Sequence, residues 1–345
     1  MRIVFLTSLL LSILASPFAT ASDPAGVAEI AQYSGPDRAQ RLLEGAKREG
    51  ELTFYTAMDE KDNAFIVAAF EKKTGIKVNV WRSGKNKVLQ RVITEARAGH
   101  SVVDFVQAPS PEMEALHREK LLQAVRSPAQ KQIIPAALPA HGEWTGMRVN
   151  VYVQAYNTQK VSRDELPRSY EQLLNPRWKG KLGVEAKGQE WFYAVVQSMG
   201  EEKGLRFFRD LASTNGLSVR SGNSLLANMV VSGEVPFALT VYSYSVEQNH
   251  ANGAPIDFIV LPPTVAHTDG IGVTRGAPHP YAATLFYDFL LSDGQKLVSD
   301  HHGLTTNRRD EATLARFNPT FIDPSRILDT YEKWSKLYDD VLQGR

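Results

Sequence analysis

Three short apolar runs, Leu52-Thr-Phe-Tyr55, Ile76-Lys-Val-Asn-Val-Trp81 and Val102-Val-Asp-Phe-Val-Gln107, decide the fold of this chain. Between them stand two helical patterns, over 62–73 and 87–98, each stopped by a glycine, Gly75 and Gly99. Glycine ends helices because the left-handed conformation costs it little. Strand and helix patterns alternating at this spacing predict a mostly parallel sheet covered on both faces. A helix over 111–120 continues the series. Upstream, Pro36 opens another helix whose apolar face carries Ala39, Leu42, Leu43 and Ala46 before Gly50 stops it.

Downstream, Val149, Val151, Val153 and Ala155 recur with period two inside 146–157, which predicts an extended strand crossing from a first lobe to a second. A second α/β unit follows, with strands over 182–185, 217–220, 235–241 and 257–260 and helices from about 190, over 205–212 and over 224–231. Asp269-Gly-Ile-Gly-Val273 is expected to return the chain to the first lobe, where a helix over 280–291 turns Ala283, Phe286, Tyr287 and Leu290 inward. A last helix over about 326–341 is expected to pack across the back.

The N-terminus has the form of an export signal: Met1-Arg2, an apolar run over 3–14, then Ala19-Thr20-Ala21 as a small-residue cleavage site. No later segment approaches the ~20 uninterrupted apolar residues of a membrane span. Cleavage after Ala21 would leave about 324 of the 345 residues, more than one hydrophobic core usually organises. The expected division is a leader over 1–21, an extension over 22–50, a first lobe over 51–150, a second lobe over 151–268, a return over 269–320 and a C-terminal helix over 321–345. Cysteine is absent, which excludes disulfides, thiolate metal sites, a cysteine nucleophile and a lipid-bearing cysteine. With Arg2 removed, 38 basic residues face 38 acidic ones, so the basic excess that nucleic acid binding wants is missing. A freely diffusing periplasmic protein is the expectation.

Further motifs recur in a fixed order. They are Gly50-Glu-Leu-Thr-Phe-Tyr55, Ala68-Ala-Phe-Glu-Lys-Lys-Thr-Gly75-Ile-Lys-Val, Tyr156-Asn157-Thr158 and Leu166-Pro-Arg-Ser-Tyr170-Glu-Gln-Leu. Pro176-Arg-Trp-Lys-Gly180-Lys follows, then Ser232-Gly-Glu234 with Phe237-Ala-Leu, and Gly270-Ile-Gly-Val before Ala277-Pro-His-Pro. Across about 50–307 the chain resembles the periplasmic substrate-binding proteins of ABC importers, in the type II class that includes the ferric-iron-binding proteins. The resemblance implies two α/β lobes joined by a two-strand hinge, a small ligand held between them, a membrane permease as partner, a monomer, and no cofactor. Fe(III) enters only as a transported ligand. In the best-known ferric binders a histidine follows strand one, a glutamate follows strand four, and two adjacent tyrosines come from the second lobe. This sequence has Asp59, Pro109, Ser243 and Tyr244 there.

Two ligand chemistries stay open. Fe(III) is a hard cation suited to phenolate and carboxylate oxygen, which makes Tyr242, Tyr244 and Asp59 its candidate ligands. The run Phe237-Ala-Leu-Thr-Val-Tyr242-Ser-Tyr244 supplies both phenols two residues apart, on one side of an extended backbone. A small organic anion, phosphonate or zwitterion would instead use helix N-termini, which present unpaired N–H donors and a partial positive charge. The loop Ala186-Lys187-Gly188-Gln189-Glu190-Trp191 is one such place, with Lys187 adding a full charge, Gln189 a polar contact and Trp191 an aromatic wall. Asn223, opening another helix, is either a cap or a ligand donor. Ligands of open α/β sheets bind beyond the carboxyl ends of strands, which adds Tyr55, Thr56, Lys85 and Ser110. Tyr152 on the crossing strand either lines the cleft or plugs the hinge. Asp269, before the second crossing, could neutralise an amine or bond across the closed interface.

Signatures of catalysis are missing: the sequence has no His-Glu-x-x-His, no Gly-x-Ser-x-Gly, no Walker A and no dinucleotide fingerprint. A hydroxymethylbilane-synthase-like transferase, a rival of the same fold, attaches its cofactor through cysteine, which this chain lacks. A regulator's sensing domain is opposed by the export signal, and His301-His302 is read as a surface pair.

Overall fold

A computed structural model of the chain describes residues 24–342, so the leader read over 1–21 lies outside it. Twelve strands are present among the described residues: β1 Glu51–Thr56, β2 Lys77–Arg82, β3 Phe105–Pro109, β4 Leu122–Gln123, β5 Thr145–Asn157, β6 Leu182–Glu185, β7 Ser218–Arg220, β8 Phe237–Tyr242, β9 Ile256–Ile259, β10 Val265–Thr274, β11 Leu304–Thr305 and β12 Thr320–Phe321. Eight of them run in the order β2-β1-β3-β10-β5-β8-β6-β7, with β4 and β12 added on β10 and β9 and β11 on β5. The first lobe holds the parallel trio β2, β1 and β3, and the second the parallel trio β8, β6 and β7.

The two trios are joined through β5 and β10, which pair with each other antiparallel and with a neighbour on either side. The sheet is therefore mixed, because both connecting strands run against their neighbours. The crossing strand expected over 146–157 is present, and all thirteen residues of β5 are buried. Its second face, with Arg148, Asn150, Tyr152 and Gln154, is buried as well as polar.

The helices between strands form where the pattern places them, with ends shifted by a few residues. Helix Arg38–Glu49 and helix Glu60–Thr74 end on Gly50 and Gly75 at φ 80° and 76°, and each glycine N–H closes the last turn. The 22–50 segment packs on the first lobe: Gly45 fits under the Tyr281 ring, and Arg38 pairs with Asp288 at 2.8 Å. Glu49 accepts from the N–H groups of Tyr281 and Ala282, capping helix Pro280–Leu290.

The C-terminal segment differs from expectation. It is two helices, Pro324–Asp329 and Tyr331–Leu342, that meet at Thr330. The first docks on the first lobe through Ser325 on Glu114 (2.8 Å) and Arg118 on Asp329 (2.5 Å). The second docks on the other lobe, with Trp334 and Tyr338 against Phe192 and Lys333 on Glu201. It is a strap across the seam.

Candidate functional site

Between the lobes lies a cleft of about 620 Å³, walled by the loops after β1, β2, β6 and β7, the start of helix Ser243–Ala251 and the polar face of β5. The lobes touch across it. Asp59 Oδ2 of the first lobe accepts from Ser224 Oγ at 2.9 Å and Tyr244 OH at 3.1 Å of the second. Lys85 Nζ reaches Glu190 Oε1 at 2.6 Å, and Gln248 donates to Asp62 at 3.3 Å.

Of the residues read from sequence, Asp59, Lys85, Tyr152, Lys187, Asn223, Tyr242, Tyr244 and Asp269 line this cleft. The two phenols meet there for a different reason than expected. β8 ends at Tyr242 and Tyr244 sits in the first turn of the next helix, yet their rings stack at 6.0 Å and 18°. Asn223 is not a cap, since Gly222 occupies that position and no side chain caps the helix; Asn223 Oδ1 receives no hydrogen bond. Asp269 does not await an amine: its Oδ2 takes Arg148 Nε and Nη2 at 3.1 and 2.7 Å.

Five other candidates lie elsewhere. Trp191 is fully buried in the second-lobe core, where its Nε1 donates to Tyr170 OH at 3.0 Å and Phe208 packs edge-on, so it cannot stack on a ligand. Gln189, its neighbour in the first helical turn, is buried too. The Tyr55 hydroxyl turns away to Glu95 at 2.8 Å under Arg91, and Thr56 bonds Gln107 at 2.6 Å inside the turn after β1. Ser110 opens helix Ser110–Arg118 and faces a separate cavity beside Trp144 and the strap.

Sequence reading missed Arg148, Asn150 and Glu185. Arg148 Nη1 also bonds Asp62 at 2.5 Å, and its guanidinium lies 4.7 Å over the Tyr244 ring. Burial works against that charge, but Asp269, Tyr244 and Asp62 outweigh it and hold Arg148 well above its ordinary value. Glu185 Oε2 accepts from Lys187 N–H at 2.5 Å and Oε1 from Gly222 N–H at 2.9 Å. Two backbone donors of these loops that a ligand anion could use are thus taken by the chain itself. The strap reaches the same loop, where Tyr338 OH donates to the Glu185 carbonyl at 2.5 Å.

The acid–base state of the cleft follows from burial and pairing. Burial raises the Tyr242, Tyr244 and Tyr152 phenols, so all three are protonated at neutral pH. Burial also opposes the Lys85 charge, yet Glu112 at 3.3 Å and Glu190 keep it well above its usual value. Glu190 is buried as well, but Lys85 and His267 pull it down to about 2. Away from the cleft, His117, His141 and Glu143 come within 4.8 Å of one another. The two imidazoles stack in parallel at 3.7 Å, so their in-plane lone pairs do not converge, and Arg275 already holds Glu143.

A family model described as bacterial extracellular solute-binding protein matches residues 66–312. The chain belongs to that family. Among curated members it is similar to an Fe(3+)-binding periplasmic protein of Serratia marcescens, 27% identical over 293 residues that cover 81% of this chain and 83% of the relative. It is also similar to iron uptake protein A1 of Synechocystis, 25% identical over 267 residues, covering 70% and 71%. Among solved structures, iron-bound HitA of Pseudomonas aeruginosa superposes with TM-score 0.74 at 23% identity, covering 84% of this chain and 99% of that one. AfuA of Actinobacillus pleuropneumoniae, with fructose-6-phosphate bound, gives 0.71 at 19%, covering 86% and 99%. The fold is that of the two-lobed periplasmic binding proteins. Relatives of this solute-binding family are binding proteins.

Proposed function

We propose that the chain captures a small organic anion between its lobes in the periplasm and delivers it to an ABC permease. One observation carries the reading: the charge that remains unpaired in the cleft is cationic. Every lining carboxylate has partners, Asp59 in Ser224 and Tyr244, Glu185 in two backbone donors, Asp269 in Arg148. Lys87 and Lys187 line the cleft from opposite lobes and no carboxylate pairs with either ammonium among the described residues. The first turns of helices Lys85–Arg97 and Asn223–Ser232 open there too and add their partial positive charge. A ligand touching both lysines binds the closed state alone, and only such differential affinity shifts the open–closed equilibrium. No bond is made or broken, and the apposed lobe surfaces are what the permease would read.

A second reading, Fe(III) capture, is favoured by the phenol of Tyr244 and the carboxylate of Asp59 meeting at 3.1 Å across the cleft. Tyr242 would join them. Against bare iron stand Arg148 over Tyr244 and Arg82 at 3.5 Å from Asp59. Titration of stripped protein with Fe(III)-citrate, followed by a thermal-shift screen of organic phosphates, phosphonates and carboxylates, separates the two. The anion reading predicts no visible charge-transfer band and a saturable rise in melting temperature that Lys187→Ala abolishes. A red-orange species at one iron per chain would reject it.

A further inference from the structure

Behind the cleft wall a line of polar side chains crosses the hinge and ends on an unpartnered oxygen. Asn150 of β5 and His267 of β10 are cross-strand partners, and Asn150 Nδ2 lies 3.1 Å from His267 Nε2. At the other edge of the ring, His267 Nδ1 lies 3.1 Å from Glu190 Oε2. Glu190 Oε1 in turn holds the Lys85 ammonium. Asn150, His267 and Glu190 are 2%, 1% and 1% exposed.

A neutral imidazole carries one proton, and its surroundings choose the nitrogen. Two carboxylates compete here. Glu190 stands 3.1 Å from Nδ1, whereas the nearest oxygen of Asp269 stands 3.9 Å from Nε2 and that carboxylate is already neutralised by Arg148. Both carboxylates have a cation partner, Lys85 for Glu190 and Arg148 for Asp269, so distance decides: the Glu190 contact is bent and its pull is electrostatic rather than a linear hydrogen bond, but it is the closer charge. Nδ1 therefore keeps the proton and Nε2 becomes an acceptor. Asn150 must turn its NH2 to that acceptor, which leaves Oδ1 for the cleft it lines. No protein group donates to Oδ1.

We propose that Asn150 is a recognition residue whose Oδ1 accepts a hydrogen bond from a hydroxyl or amine of the bound solute. The inference rests on the anionic reading above and narrows it to anions that also carry a donor. A site built to hydrogen-bond a donor discriminates against the analogue that lacks it, because its own polar group is then left unpaired.

Two measurements test this. Nitrogen-15 NMR of the solute-free wild-type protein at neutral pH should show His267 as the Nδ1–H tautomer. The Nε2–H tautomer or an imidazolium would turn the Asn150 amide round and overturn the proposal. Calorimetry with matched probes, glycerol 3-phosphate against propyl phosphate and 2-aminoethylphosphonate against ethylphosphonate, should show the donor-bearing member of a pair bound about tenfold more tightly. Asn150→Ala should bring that ratio to about one. Equal binding within each pair, or a preference that survives Asn150→Ala, sinks the donor subsite while leaving the anionic reading intact. If none of the four binds, the anionic reading fails and takes this one with it. Should the variant not fold, the wild-type ratio and the tautomer decide alone.

Discussion

The two faces of β5 are equally buried and serve opposite ends. Val149, Val151 and Val153 pack into the core that runs through the hinge, while Arg148, Asn150 and Tyr152, on the alternate positions, form the back wall of the cleft. Burial alone does not tell core from site. The difference is in the polar ledger: on the cleft face Arg148 is fully paired, Tyr152 and Tyr242 share a 3.4 Å hydroxyl contact, and Asn150 Oδ1 is left over. A face that buries polar groups and satisfies nearly all of them leaves its exceptions for a ligand.

The comparison breaks most visibly at Arg148. Arg148→Ala strips two buried carboxylates, Asp62 and Asp269, of their partner and should cost about 3–5 kcal/mol in urea unfolding and abolish solute binding. Next comes acid. Glu190 is held at about 2, below its ordinary 4.5, so the Lys85–Glu190 bridge contributes fully above that ordinary value and is lost as pH falls towards 2. Glu190→Gln should remove that part of the pH dependence from melting curves taken between pH 2 and 7. On the other face of β5, Val151→Ala should cost roughly 2 kcal/mol and leave solute affinity unchanged. The smallest effects separate two aromatics. Tyr244→Phe loses the bond to Asp59 and should weaken solute binding by about tenfold in calorimetry with little loss of stability. Trp191→Phe loses the bond to Tyr170 and should lower stability by about 1 kcal/mol without touching affinity.

The fold was legible because strand and helix periods alternate and glycines such as Gly50 and Gly75 punctuate them. The strand-end argument reached Lys85 and Asn223 but also Tyr55, Thr56 and Ser110, which face elsewhere. Lys187 was legible from a helix N-terminus, Tyr242 and Tyr244 from the spacing of two phenols, and Asp59 only through the family resemblance. Trp191 misled, since an aromatic in the first turn of a helix has the same pattern whether it faces cleft or core, and only the partner Tyr170 decides. Arg148 and Asn150 were visible in the sequence as polar residues interleaved with the valines of a crossing strand, beside Tyr152, which was read as a candidate cleft residue. Reading mainly the apolar half of the alternation hid those two. Glu185 carried no signal at all, because the two donors it binds, Lys187 N–H and Gly222 N–H, come from loops 35 residues apart.

Native mass spectrometry of freshly isolated, undialysed protein tests the central claim most directly. The account predicts one metal-free organic anion per chain, carrying a hydroxyl or amine and absent from the Lys187→Ala protein. One iron per chain, retained by Lys187→Ala and lost in Tyr244→Phe, would contradict it.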